Sequence, residues 1–378
     1  MPISAQPYSL YVHIPWCVRK CPYCDFNSHQ LDANADEEVY LEHLINDLRH
    51  DLKLISERTL STIFIGGGTP SVFTPGFYEK LLASIRQLCE CEANLEITME
   101  ANPGTLDSVN FAGYRNAGIN RLSIGAQSFD DNTLQLIGRI HDNQQIIRAF
   151  EKARQAGFDN INLDLMFALP AQDVPAAMRD LQIAIDLQPE HLSWYQLTLE
   201  PNTPFHHAPP PQMPDDDLSW EIQESGQKKL AENGYQQYEI SAYSRAGRQC
   251  RHNLNYWRFG DYLGIGAGAH GKITDKSGSI YRITKKRGPA NYMNECYLSQ
   301  KNRLSEQDLY IEYFLNRFRL KESFDLLEAA TVLNLSVKAL KNRLQPVADR
   351  GLLSLQSEQI QVTDTGHQFL NETLGMLI

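Results

Sequence analysis

Six short runs of β-branched and apolar residues, at 10–14, 62–65, 95–99, 121–124, 161–166 and 191–197, are separated by longer amphipathic stretches at 37–54, 76–88, 143–156 and 176–187. This alternation constrains the chain more than any other feature. Strands joined through helices run parallel, and such crossovers are right-handed. About six repeats suit a full or partial barrel of the TIM type, which carries function on the loops at the C-terminal ends of its strands. An open doubly wound sheet has the same spacing and stays open as an alternative.

The 378 residues are 42% hydrophobic and 21% charged, ordinary values for a globular protein, so disordered and fibrous classes are excluded. Net charge is −11, which argues against a nucleic-acid binder that works by phosphate neutralisation. No run approaches the ~20 apolar residues of a membrane span, and the first fifteen residues lack the basic and apolar regions of a signal peptide. A cytoplasmic protein is expected.

After the sixth strand comes a Pro-rich acidic stretch, 201–217, then a helix near 218–233 and an irregular aromatic- and Gly-rich segment from 235 to about 288. Helical patterns at 307–320, 324–333 and 337–350, a strand pair at 352–355 and 360–362, and a final helix resemble a winged helix. This last part carries seven basic against ten acidic side chains, so a packing or lid role is expected rather than DNA reading. The chain divides into a barrel core (1–200), a link and extension (201–304) and a winged-helix-like α+β domain (305–378).

Three of the seven cysteines, Cys17, Cys21 and Cys24, sit within eight residues directly after the first strand. In a reducing compartment such a cluster reads as metal ligation or redox chemistry. Three thiolates from one loop can hold three corners of an iron–sulfur cluster and leave one iron open. A structural zinc site wants a closed set of four ligands, for which His13, Asp25 and His29 are nearby.

The Cys-x3-Cys-x2-Cys spacing, with Tyr23 before the last cysteine, resembles the radical S-adenosylmethionine (SAM) superfamily. That resemblance implies a partial (β/α)6 barrel and a 4Fe-4S cluster whose open iron takes the amino and carboxylate groups of SAM. Gly66-Gly67-Gly68-Thr69-Pro70 follows the second strand, where glycines let the backbone approach a ligand closely and exposed amides can bind its amino or carboxylate group, and is similar to the superfamily's Gly-rich motif. Glu100, Gln127 and Asp164 lie at or in the third, fourth and fifth strands, and Arg139 follows the fourth. Their positions resemble those of the oxygen-independent coproporphyrinogen oxidase group. The match implies SAM contacts from Tyr11, Tyr23, Gly67, Gly68, Thr69, Glu100, Gln127, Arg139 and Asp164.

That group has two branches. The coproporphyrinogen III dehydrogenases carry a further cysteine two residues after the third ligand, where this chain has Phe26, and a longer N-terminal extension. The heme chaperones called HemW have Cys-Pro-Tyr-Cys-Asp-Phe and a later His-Asn-x-x-Tyr-Trp, which resemble residues 21–26 and His252-Asn253-Leu254-Asn255-Tyr256-Trp257 here. The second resemblance implies a heme chaperone with no assigned catalytic residue. It would pass heme to acceptor apo-hemoproteins, respiratory ones among them, and pair into a homodimer when cluster-loaded, with transient membrane association. The alternative is oxidative decarboxylation of coproporphyrinogen III. An imidazole with aromatic neighbours suits heme, so His252, Tyr256 and Trp257 are the candidate heme residues. Cys250 is an alternative thiolate ligand, and His270 or the His206-His207 pair a second axial ligand. Arg248, Arg251 and Arg258 would suit the propionates, or be ordinary surface charges.

Overall fold

A computed structural model describes residues 6–31, 35–55, 58–105, 108–294 and 296–377. The outer ends assigned to the first and last segments, residues 1–5 and 378, lie outside the described residues. Strands β1 (Tyr8–Ile14), β2 (Leu60–Gly67), β3 (Cys91–Ala101), β4 (Arg121–Gln127), β5 (Ile161–Phe167) and β6 (His191–Gln196) lie side by side in chain order, all parallel. A doubly wound sheet reverses its strand order at a switch point. This one does not, so the partial barrel is the correct reading.

Helices α1 (Glu37–Asp51), α2 (Pro75–Leu88), α3 (Ser108–Ala117), α4 (Asn143–Gln155) and α5 (Val174–Asp186) supply the crossovers. Their starts are fixed locally. Thr74 caps α2 ahead of Pro75, and Asp142 with Gln145 forms a capping box on α4.

Successive strand residues point to opposite faces. Leu10, Val12 and Ile14 of β1 join the hydrophobic core under the helices. The intervening positions are polar: Ser9, Tyr11 and His13 in β1, Ser123 in β4, Asn162 and Asp164 in β5, His191, Ser193 and Tyr195 in β6. A parallel barrel whose inner face is polar has kept that face for a ligand rather than for packing.

The segment from 235 to 288, expected to be irregular, instead extends the sheet at both edges. β7 (Gln236–Glu239) and β8 (Ala242–Ser244) form a hairpin on β6. At the other edge β9 (Tyr262–Ile265) pairs parallel with β1, and β10 (His270–Thr274), β11 (Ile280–Lys285) and β12 (Leu298–Arg303) continue antiparallel. These strands are short, polar and broken by glycines, so pairing with a neighbour, not local propensity, forms them. Between the two edges runs the helix Arg251–Trp257, called here the floor helix.

Residues 306–375, together with Phe259 and Ile280 of the extension, build a second core. Helices Glu306–Arg317, Leu326–Val332 and Val337–Asp349 pack on a three-stranded antiparallel sheet of Phe324–Asp325, Gln359–Val362 and Leu353–Gln356. Phe314, Phe318, Phe324, Leu340, Leu344 and Ile360 fill it. Two short helices, Asp364–Gln368 and Leu370–Gly375, stand where one was expected.

Candidate functional site

The cysteine loop leaves β1 and is pinned by a two-residue parallel pair, Trp16 beside His29 and Cys17 beside Gln30. Inside the loop the Cys24 amide donates to the Cys21 carbonyl, turning the chain back on itself. All three cysteines line one cavity of about 340 Å³ at the C-terminal ends of the strands. Tyr23, Gly67, Gly68, Thr69, Glu100, Gln127, Arg139 and Asp164 line the same cavity, so the structure brings together every expected cluster and SAM residue except Tyr11. The Tyr11 hydroxyl instead hydrogen-bonds His13 Nδ1 at 2.9 Å, and its ring stacks on Phe64.

Burial pushes the thiols of Cys17 and Cys24 up, so both are protonated until a metal takes the thiolate. Arg139 donates from Nη2 to the Gly125 carbonyl at 2.9 Å, and its Nη1 lies 3.6 Å from Cys21 Sγ. Its buried Nε has no partner among the described residues. A cavity holding three thiols and a guanidinium with a spare donor fits a cluster and an anionic ligand group. His13 does not fit as a zinc ligand, because its Nε2 is 2.8 Å from the Asn27 carbonyl and its Nδ1 is held by Tyr11. Among the described residues no three His, Cys, Asp or Glu side chains converge on a single ion.

The glycines after β2 are required for close approach rather than for free amides. Gly67 has φ +115°, and a Cβ there would meet the His13 ring at 2.5 Å; a Cβ on Gly68 would lie 2.4 Å from the Trp16 carbonyl. The three amides are already used: Gly67 donates to Glu100 Oε2, Gly68 to the Ile14 carbonyl and Thr69 to the Trp16 carbonyl. Burial, with Asp164 nearby, raises Glu100 to about 8, so it holds a proton at neutral pH until a ligand donates to it. Burial raises Asp164 as well, against hydrogen bonds from Ser123 and Asn162 at 2.8 Å each. Gln127 sits at φ 71°, the left-handed region that a glutamine rarely adopts, and accepts from the Tyr195 hydroxyl at 3.0 Å. Ser123, Ser193 and Tyr195 were missed in the sequence reading. Their signal was the polar residue at every second position of a parallel strand.

The candidate heme residues occupy the opposite, N-terminal end of the barrel. The floor helix places His252 and Tyr256 on one face, four residues apart. His252 is buried. Its Nδ1 is 2.8 Å from Thr62 Oγ1, its Nε2 is 2.8 Å from the Tyr256 hydroxyl, and its amide donates to Glu96 Oε1. The Thr62 hydroxyl donates to Ser9, so Nδ1–H donates to Thr62 and Nε2 accepts from Tyr256. Both ring nitrogens are therefore taken in the closed fold. Trp257 faces away, under the Arg319 guanidinium 4.3 Å from its ring. Cys250 is buried against Glu96, and burial pushes its thiol up to about 12. Arg251 pairs with Glu92, Arg258 with Glu322, and Arg248 lies 3.9 Å from Asp159, so all three have acidic partners. By contrast His206, His207 and His270 are exposed. The helix Pro204–His207 abuts the cysteine loop through the Phe205 amide, which donates to the Pro22 carbonyl.

Burial lowers His252 to about 3. In the unfolded chain it titrates near ~6.5. Below that pH the unfolded state binds the extra proton, so stability falls as pH drops from about 6.5 toward 3, by about 1.4 kcal/mol per pH unit for this one group. His252→Gln is expected to lower the unfolding midpoint at pH 7 and to flatten its pH dependence between 5 and 6.5. An unchanged slope in the variant would remove His252 from the acid response.

These features define a barrel of the radical SAM class. The model of the Radical SAM superfamily matches residues 11–181, and that of the HemN C-terminal domain matches 304–369. The coproporphyrinogen III oxidase HemN of Escherichia coli superposes with a TM-score of 0.84 at 23% identity, covering 99% of this chain and 90% of that one. The heme chaperone HemW of Haemophilus influenzae is 48% identical over 98% of each chain. HemW of Escherichia coli is 47% identical over 100% of this chain and 99% of its own. The chain belongs to the HemW family. Membership of the superfamily implies a 4Fe-4S cluster and SAM.

Proposed function

We propose that this protein is a heme chaperone, which takes up heme and hands it to acceptor apo-hemoproteins. The observation that carries the reading is its identity to HemW proteins of 47–48% along the whole chain. Phe26, 58% exposed at the position where the resembling dehydrogenases have a cysteine, supports it.

Cys17, Cys21 and Cys24 would hold the cluster. Arg139 would pair with a carboxylate of SAM, while Glu100 and Asp164 would accept from its amino or hydroxyl groups. When bound, cluster and SAM supply one-electron chemistry at the open iron. The chain's own residues orient the ligand and keep the cavity polar. His252, Tyr256 and Trp257 enter this reading as heme contacts that form once the floor helix leaves the barrel. The same reading extends to respiratory acceptors, to pairing of two copies on cluster loading and to transient contact with a membrane. Among the described residues no helix is long and apolar enough to cross one.

Anaerobic heme titration of the cluster-loaded protein tests the proposal. Saturable one-to-one binding is expected. Absence of saturation, with turnover of coproporphyrinogen III, would replace it with the dehydrogenase reading.

A further inference from the structure

A ligand with heme's chemistry needs three things at once. It needs a neutral imidazole with a free nitrogen, an apolar face, and cations for two propionates. The floor helix does not offer the first in the closed fold. The rim beside the cysteine loop does.

His270 opens β10 and is exposed. Neither ring nitrogen has a hydrogen-bond partner among the described residues, unlike His13, His141, His191 and His252, whose rings are all engaged. Partial burial and the charges of Arg287 and Arg282 hold its pKa below the usual value, so it is neutral at pH 7. Arg282 is spent on Glu312 and the Tyr262 hydroxyl. Arg287 is exposed and its guanidinium has no partner among the described residues.

This rim is physically joined to the cysteine loop. Asn27 donates from Nδ2 to the Ala267 carbonyl at 2.9 Å and to the Arg287 carbonyl at 3.0 Å. Gly268, at φ +85°, passes so close that a Cβ would lie 2.2 Å from the same Nδ2. The neighbour of Asn27 is Phe26, an exposed aromatic ring in a loop that otherwise feeds a polar cavity. Lys20 reaches the Phe26 carbonyl at 3.1 Å and brings a second cation to the same edge. In a chain with net charge −11, two cations without a carboxylate partner among the described residues, beside an exposed aromatic and a free imidazole, mark an amphiphilic dianion site.

We infer that His270 is the axial ligand that receives heme in the closed fold, with Phe26 against the porphyrin face and Arg287 and Lys20 at the propionates. The inference rests on the heme-chaperone reading and names its docking site. It makes the edge of the SAM cavity, where Lys20 and Phe26 lie, the receiving site of the closed fold, separate from the contacts of the floor helix.

The test is an anaerobic hemin titration of cluster-loaded full-length protein, wild type beside His270→Ala, each repeated with added imidazole. Cluster absorbance and SAM binding report integrity. The variant is expected to bind hemin about tenfold or more weakly, with the spectrum of a histidine-ligated heme lost and then restored by imidazole. Arg287→Ala is expected to weaken binding without changing the ligation spectrum. A variant that binds like wild type, or a loss that imidazole does not restore, overturns the assignment of His270 and leaves the heme reading standing. Failure of the wild type to bind hemin overturns the heme reading itself.

Discussion

Substituting alanine for any one of Cys17, Cys21 and Cys24 is expected to abolish cluster assembly outright. The three lie on one loop of eight residues and line one cavity, which no other cysteine lines, so on this reading each would supply one corner of the cluster. Cys89 and Cys91 stand at the N-terminal end of β3, the far end of the barrel, and Cys250 is closed off behind Glu96. Two thiolates hold a four-iron cluster poorly, and a missing corner opens it to solvent and oxidation. Iron and sulfide content after anaerobic reconstitution measures this. The expected result is content near background in each variant with helix content unchanged, because none of the three cysteines lies in a helix. A variant that retains a full complement of iron would move the cluster elsewhere.

The second large effect is on stability. Lys285 of β11 is buried and lies 2.5 Å from Asp47 Oδ1 and 2.7 Å from Asp51 Oδ2, both on α1. The Tyr292 hydroxyl donates to Asp47 at 2.7 Å. This ion group ties the antiparallel extension to the first barrel helix. Lys285→Met leaves two carboxylates buried without their cation, which costs about 3–5 kcal/mol. Asp47 already titrates at about 6, raised by burial and by Asp51 against the pull of Lys285. Without the lysine its folded pKa rises further above the unfolded ~3.9. Between those values the folded state binds the extra proton, so the variant regains stability as pH falls from 7.5 toward 5. Unfolding midpoints over that range measure it, and Asp47→Asn in the same background is expected to recover part of the loss. A deficit below about 1 kcal/mol at pH 7.5, or one that does not narrow with acid, would show that the ion group does not hold the extension.

How much of this was legible in the sequence depends on whether a feature is local. The cysteine spacing and the strand-end residues are local, and the structure gathers them into one cavity because successive parallel strands end on the same side. The Gly66-to-Pro70 turn was legible as a glycine requirement, yet its amides serve Glu100 and the β1 loop instead of standing free. The polar inner face was written in the alternation of Ser123, Asn162, Asp164 and Ser193, but alternation in a barrel strand reads as half-exposed until the closure is known. Strands β9 to β12 were not legible, because their hydrogen bonds depend on the free edge of β1. The placement of His252 was the least accessible. Its helical spacing to Tyr256 was readable, whereas its burial against Thr62 follows from the floor helix returning under β2.

The central claim is that the protein carries heme rather than decarboxylating a porphyrinogen. The most direct measurement incubates heme-loaded, cluster-loaded protein anaerobically with an apo-hemoprotein, and follows heme between the two by absorbance after separation. A parallel sample receives coproporphyrinogen III, SAM and a reductant. Heme appearing on the acceptor, with no decarboxylated product in the parallel sample, is the predicted result. Decarboxylation at catalytic turnover, with heme neither bound nor transferred, would contradict it.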